Sequence, residues 1–305
     1  MNTRFSDTHC NEPKILYGIT PPKLDNQADK NQRINDRRIE RIQQYKPDGL
    51  VLYDIQDEAA RNPEERPFPY LETIPAYQYA NEDMARLDIP KVVYIGTGKY
   101  SPEELDIILR DLRDTHVVFV GSPTPEETGK SSLKQAYSLY QKYSERLSMG
   151  GIAIAERHYQ LGDEHLRLHQ KVLDGCSFFI SQCVYNAEMF KDMLSDYYYL
   201  CQQKEIEMKP VYMTLTPCGS LKTLEFIKWL GISLPRWLEN DLKHEKDILD
   251  YSIRQSRNIF LDVQDFCQQK DIPLGCNIES VAVRKDEVIA SFELMEDIRR
   301  LQLKG

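Results

Sequence analysis

Short apolar runs recur through this chain, and each is followed by a longer stretch with helical periodicity. The runs are Ile15–Thr20, Gly49–Tyr53, Lys91–Gly96, His116–Gly121, Gly151–Ala155, Phe178–Gln182, Pro210–Leu215 and Leu274–Val281. Val117-Val118-Phe119-Val120 is apolar at every position, which suits a strand buried on both faces of a parallel sheet. Parallel neighbours need long crossovers, and the helix-patterned segments between the runs supply them. Eight β–α units without a break in composition predict an α/β protein, a single (β/α)8 TIM barrel. The 305 residues accommodate the roughly 250 that such a barrel takes. An open, doubly wound sheet would show a glycine-rich turn after its first strand. Here that strand runs into Thr20-Pro21-Pro22-Lys23, which cannot make that turn. The expected organisation is a flexible N-terminal arm over residues 1–12 and one barrel domain over 13–305.

Helix boundaries are written locally. Ser101-Pro102-Glu103-Glu104 places a capping serine, a proline at the first helical position and a glutamate three residues after the cap. Leu105, Ile108, Leu109 and Leu112 then follow at helical spacing. Asp163 precedes a helix in which Leu166, Val172 and Leu173 are spaced to share a face. The longest helices are expected around Glu245–Lys270 and Glu287–Leu303, with a helical insertion between Leu221 and Pro235. The proline-rich segment Arg61–Tyr70 reads as a loop and a candidate lid.

A net charge of −9 argues against a nucleic-acid partner, which would need clustered Lys and Arg. Arg33, Arg37, Arg38 and Arg41 do cluster, but Asp36 and Glu40 interleave with them as on a solvated helix face. Seven scattered cysteines form no CxxC pair and read as reduced thiols. The N-terminus is polar and no apolar run approaches a membrane span. A cytoplasmic protein without a membrane partner is expected, and self-association into a homo-oligomer is left open.

In a parallel barrel, chemistry sits where strands end and loops begin. That selects Thr20, Tyr53, Asp54, Thr97, Ser122, Glu156, His158, Gln182, Tyr185, Thr214, Thr216 and Arg284. Glu156 and His158 follow a strand two residues apart, as catalytic or purely structural pairs both do. Gln182 offers a donor and an acceptor to a heterocycle edge, or equally to loop backbone. Gly129-Lys130-Ser131 resembles part of a phosphate loop, but the spacing from Gly121 is too long for a Walker motif, so an ordinary loop is expected. His165 and His169 stand four apart, a zinc-compatible spacing. Without a glutamate directly after His165 they read as surface or cofactor-facing histidines, and no metal site is expected.

Several segments, in order, resemble the methylenetetrahydrofolate reductase family. They are Ile19-Thr20-Pro21-Pro22, Lys46-Pro47-Asp48, Ser101-Pro102-Glu103-Glu104-Leu105, Glu156-Arg157-His158, Leu168 through Gly175, Ser181-Gln182 and Ile232 through Leu238, with Arg284 before the last helix. The resemblance implies a (β/α)8 barrel that uses FAD and NAD(P)H to interconvert 5,10-methylene- and 5-methyl-tetrahydrofolate. It puts Gln182 and Arg284 on folate-contacting positions, and Thr20 and Tyr185 are taken with them as substrate contacts. His158, Glu164 and Lys171 fall on flavin-contacting positions, Lys171 toward the diphosphate.

The departures from that family concentrate on its redox centre. Gly18 stands where the family has its general-acid glutamate, and Asp54, Glu156 and Glu279 are the candidates to replace it. Tyr53-Asp54 replaces a strand end in threonine, Tyr94 lies near a flavin-contacting histidine, and Val120-Gly121-Ser122 replaces Arg-Gly-Asp. The expectation is therefore a folate-dependent one-carbon oxidoreductase with weak or no FAD binding. The alternatives are a non-catalytic folate-binding barrel and a flavin-free one-carbon transferase.

Overall fold

The computed structural model describes residues 5–9, 12–57, 62–113, 115–121 and 129–302. Ser122, expected at a strand end, lies outside them, as do parts of the N-terminal arm and Arg61. In chain order the elements begin with β1 (Ile15–Ile19), α1 (Ala28–Tyr45), β2 (Gly49–Leu52), α2 (Ala76–Asn81), β3 (Lys91–Gly96), α3 (Pro102–Asp111), β4 (Thr115–Val120), α4 (Leu133–Tyr140) and β5 (Ser148–Ala153). There follow α5 (Ala155–Leu161), α6 (Glu164–Leu173), β6 (Cys176–Cys183), α7 (Ala187–Lys204), β7 (Val211–Leu215), α8 (Leu221–Trp229), α9 (Arg236–His244), α10 (Ile248–Gln268), β8 (Leu274–Glu279) and α11 (Lys285–Gln302).

The strands close in sequence order, β1 to β8, into an all-parallel barrel. The fold is the (β/α)8 barrel that the alternating pattern predicts. Pairing register is regular, Val92 opposite His116 and Met213 opposite Cys276 for example. One irregularity falls between Ile180 and Cys183, where β6 slips against β7. Such bulges re-aim side chains at strand ends. The first helical turn of α3 carries the full capping box: Ser101 accepts from Glu104 N–H, and Glu104 accepts from Ser101 N–H.

Contacts divide the chain into two compact units. The first runs through Tyr17–Gly150 with Asp174–Cys176. Its strands β2, β3 and β4 are buried almost throughout. An antiparallel bridge, Lys23 to Thr73, ties the turn after β1 to the end of the proline-rich loop. The second unit takes Gly151–Leu173, the described residues from Ser177 onward and those up to Leu16. Phe5 is buried there, edge-on to Phe178 and Tyr212, and Tyr212 donates its hydroxyl to Phe5 O at 3.0 Å. Each such ring pair contributes about 0.5–1.5 kcal/mol beyond simple burial.

Two local expectations are corrected. The strand read as Gly151–Ala155 runs over Ser148–Ala153, and Ala155 begins α5, so Glu156 and His158 ride a helix instead of a strand end. In α6 it is Leu168 that is buried, whereas Leu166 and Leu173 are 50% and 67% exposed. Gly129-Lys130-Ser131 is an ordinary loop: Ser131 donates to Tyr100 O at 2.8 Å and Lys130 pairs with Glu104. Six of the cysteines are described, all buried and none in a disulfide among the described residues. No described helix is long and apolar enough to cross a membrane.

Candidate functional site

In the second unit, the ends of β6, β7 and β8 are locked by a polar lattice. Thr214 N–H donates to Ser181 Oγ at 2.9 Å, its hydroxyl to Ser181 O at 2.6 Å, and Asn277 Nδ2 donates to Thr214 Oγ1 at 3.1 Å. Thr216 Oγ1 accepts from Val281 N–H, while its carbonyl accepts the Tyr185 hydroxyl at 2.6 Å. Tyr185 is thus buried and committed to backbone, and burial raises its pKa well above the ordinary value.

On this platform Cys183, at the end of β6, donates its thiol to Glu279 Oε1 at 3.0 Å. Burial drives the Cys183 thiol pKa far up, and the charges of Glu279 and then Glu156 push it the same way. Two carboxylates therefore act on one buried thiol. Glu156, in the first turn of α5, accepts from Ser233 N–H at 3.0 Å. Its pKa is raised by burial, which outweighs the opposing backbone hydrogen bond. Gln182 Nε2 donates to Leu230 O at 3.0 Å. The Leu230–Ser233 loop is thereby held at one end by Gln182 and at the other by Glu156.

Arg284 is 52% exposed and sits 3.6 Å from Glu287. Glu287 itself is buried, accepts from Thr223 Oγ1 at 2.8 Å, and has its pKa raised by that burial. A Cβ on Gly219 would come within 2.6 Å of Glu287, so the turn after β7 requires glycine to admit this carboxylate. Cys183 and Glu287 are residues that sequence reasoning does not select. The former follows Gln182 directly, and that adjacency is the only signal for it.

Nearby in the same unit, Glu164 is 0% exposed. It accepts from Ile154 N–H at 3.2 Å and from Arg157 through both nitrogens at 2.5 and 2.7 Å. Lys171 Nζ lies 4.0 Å from Glu164 and donates to Ile152 O at 2.5 Å. Gly151 leaves room for this lysine: a Cβ there would approach Lys171 Cδ to 3.2 Å. His158 is buried on α5, with Nε2 3.2 Å from Asp196 Oδ2 on α7.

The first unit holds its own cluster. Buried Asp54 accepts from Gly96 N–H at 2.8 Å and pairs with Lys99, which also donates to Ile55 O at 2.7 Å. Tyr53 and Tyr94 meet edge to face, centroids 4.9 Å apart. Gly18 is buried within β1, and half-buried Thr20 follows directly after the strand ends at Ile19. Asp54 is thus grouped with Lys99, and Glu156 and Glu279 with Cys183.

The closed parallel barrel, with buried Asp54 just beyond β2 and half-buried Glu279 ending β8, defines a (β/α)8 protein. No protein-family model and no curated protein sequence matches the chain. Among solved structures, an uncharacterized protein from Clostridium thermocellum that binds two copies of 5-methyl-5,6,7,8-tetrahydrofolic acid is 44% identical. The match covers 95% of this chain and 96% of that one, with a TM-score of 0.83. This chain belongs to the same family as that clostridial protein. A dihydropteroate synthase from Xanthomonas albilineans aligns over 95% of the chain and 93% of its own at 11% identity and a TM-score of 0.43.

Proposed function

We propose that this chain is a reduced-folate-binding barrel resembling methylenetetrahydrofolate reductase, acting on the 5,10-methylene/5-methyl pair of tetrahydrofolates without a tightly held flavin. The observation that carries the reading is the 44% identical clostridial relative, matched over 95% of this chain, whose bound ligand is 5-methyltetrahydrofolate. Gln182 and Arg284 are the proposed grips. Gln182 keeps its amide carbonyl for a pteridine edge while its nitrogen holds Leu230, and exposed Arg284 suits an anionic glutamate tail.

Opening a methylene bridge breaks a carbon–nitrogen bond, so the departing folate nitrogen needs a proton and the carbon needs a hydride, for which NAD(P)H is the implied source. Gly18 cannot donate a proton. Glu156 is favoured instead, because burial lifts its pKa toward the range in which a carboxyl still carries one. Glu279 is the second candidate, through its contact with the Cys183 thiol.

The residues implied for FAD do not fit that group. Lys171 is engaged by Ile152 O and Glu164, Glu164 is saturated by Arg157 and Ile154, and the Tyr53 and Tyr94 rings pack on each other.

A second reading, a barrel that binds folate without turning it over, is favoured by Gly18 and by Val120-Gly121-Ser122 in place of the family's Arg-Gly-Asp. Anaerobic assay of NAD(P)H oxidation with 5,10-methylenetetrahydrofolate separates the two. Turnover that is lost in Glu156→Gln supports the catalytic reading. Binding without turnover, with Gly18→Glu restoring it, supports the second.

A further inference from the structure

We propose that His158, His165 and Asp196 form a binding site for a divalent transition-metal ion of the zinc class. One ligand atom from each residue lies within 4.8 Å of the other two, and His158 Nε2 is 3.2 Å from Asp196 Oδ2. Bonds of about 2.0–2.1 Å in a tetrahedron set ligand atoms roughly 3.3–3.4 Å apart. One pair already has that spacing, and the third ligand closes the remainder by side-chain rotation of about 1.4 Å or less.

The fold builds the cluster from three helices. Helix α5 ends at Gly162, whose φ of 68° lies in the left-handed region, and its N–H caps His158 O at 2.7 Å. That reversal brings α6 back on α5, so the His158 and His165 rings meet edge-on with centroids 5.4 Å apart. Helix α7 packs against both and delivers Asp196.

Two features point to an ion beyond packing. Among the described residues, the buried Nδ1 atoms of His158 and His165 have no hydrogen-bond partner, and the His158 side chain is only 7% exposed. An open cleft of about 300 Å³, lined by His158, Tyr159, Met189, Asp192, Ser195 and Asp196, borders the donors. It leaves room for water or an external ligand to complete the coordination. Two imidazoles and one carboxylate suit zinc-class ions, whereas magnesium and calcium favour all-oxygen sets.

The test uses the full chain, stripped with a chelator and dialysed, then titrated with Zn2+ by calorimetry and with Co2+ by visible absorption. One ion per chain is expected, with d–d bands and no thiolate-to-cobalt charge transfer. Asp196→Asn and His165→Ala should each weaken binding at least tenfold, whereas His169→Ala, on the next turn of α6, should not. Circular dichroism checks the fold of each variant. Should His165→Ala unfold, Asp196→Asn, at a half-exposed position, carries the test alone. Absence of saturable Zn2+ binding, affinity unchanged in Asp196→Asn, or a thiolate charge-transfer band would each overturn the site.

Discussion

The Cys183 thiol donates to Glu279 across the ends of two strands, at 3.0 Å, and burial keeps that thiol protonated. A thiolate is the reactive species, so Cys183 should resist alkylation in the native protein. Mass-spectrometric footprinting with iodoacetamide at pH 8 is expected to label Cys183 at least about a hundredfold slower than the same cysteine in denaturant. Glu279→Gln removes a charge that raises the thiol pKa and should speed labelling. Equal rates in native and unfolded protein would show that the contact does not persist in solution.

Glu156 gives a pH signature. Its folded pKa is raised above the unfolded value of 4.5, so the folded state binds more protons in the window above that value. Stability from this group is fully present below pH 4.5 and is lost as pH rises through the raised pKa. Denaturant titrations across pH 4–8 should therefore show a decline that Glu156→Gln flattens, as the amide does not ionise. Glu287, raised by the same cause, should contribute in the same direction.

Close packing gives a stability test away from the site. A Cβ on Gly275 would fall 2.3 Å from the Tyr212 ring, which is tethered through its hydroxyl to Phe5 O. The ring cannot swing aside without releasing that bond. Gly275→Ala should therefore destabilise the protein by about 1–3 kcal/mol, the usual cost of overpacking, measured by chemical denaturation. A neutral effect would mean that the Phe5–Tyr212 contact is loose.

Strand positions were legible because buried parallel strands are continuously apolar, as Val117 through Val120 are. The start of α5 was not, since Gly151-Ile152-Ala153-Ile154-Ala155 is apolar through the strand and into the helix, and periodicity cannot divide so short a run. Leu166 and Leu173 misled for a related reason: α6 is short, and its buried side is fixed by Glu164 meeting Arg157 as much as by leucines. At the candidate site, Glu156 and Gln182 were legible because they lie just beyond and at the end of apolar strand runs. The Cys183–Glu279 pair was not, because the partners are 96 residues apart and only the strand order brings them together. Asp196, in mid-helix on α7, carried no local signal of its contact with His158.

The flavin expectation has a direct check. Lys171 and Glu164 satisfy each other and the neighbouring backbone, leaving a diphosphate few charge-assisted bonds, each worth about 1.5–3 kcal/mol. Purified protein should lose any visible flavin absorbance on dialysis. A stoichiometric flavoprotein that stays yellow would return the chain to the standard reductase mechanism.

Calorimetric titration of 5-methyltetrahydrofolate into the wild-type protein and Gln182→Ala tests the central claim most directly. The account predicts saturable binding in the micromolar range, about −8 kcal/mol at 1 μM, weakened roughly tenfold or more when Gln182 is lost. Wild-type protein that takes up no reduced folate, or a Gln182→Ala variant that binds it unchanged, would contradict the account.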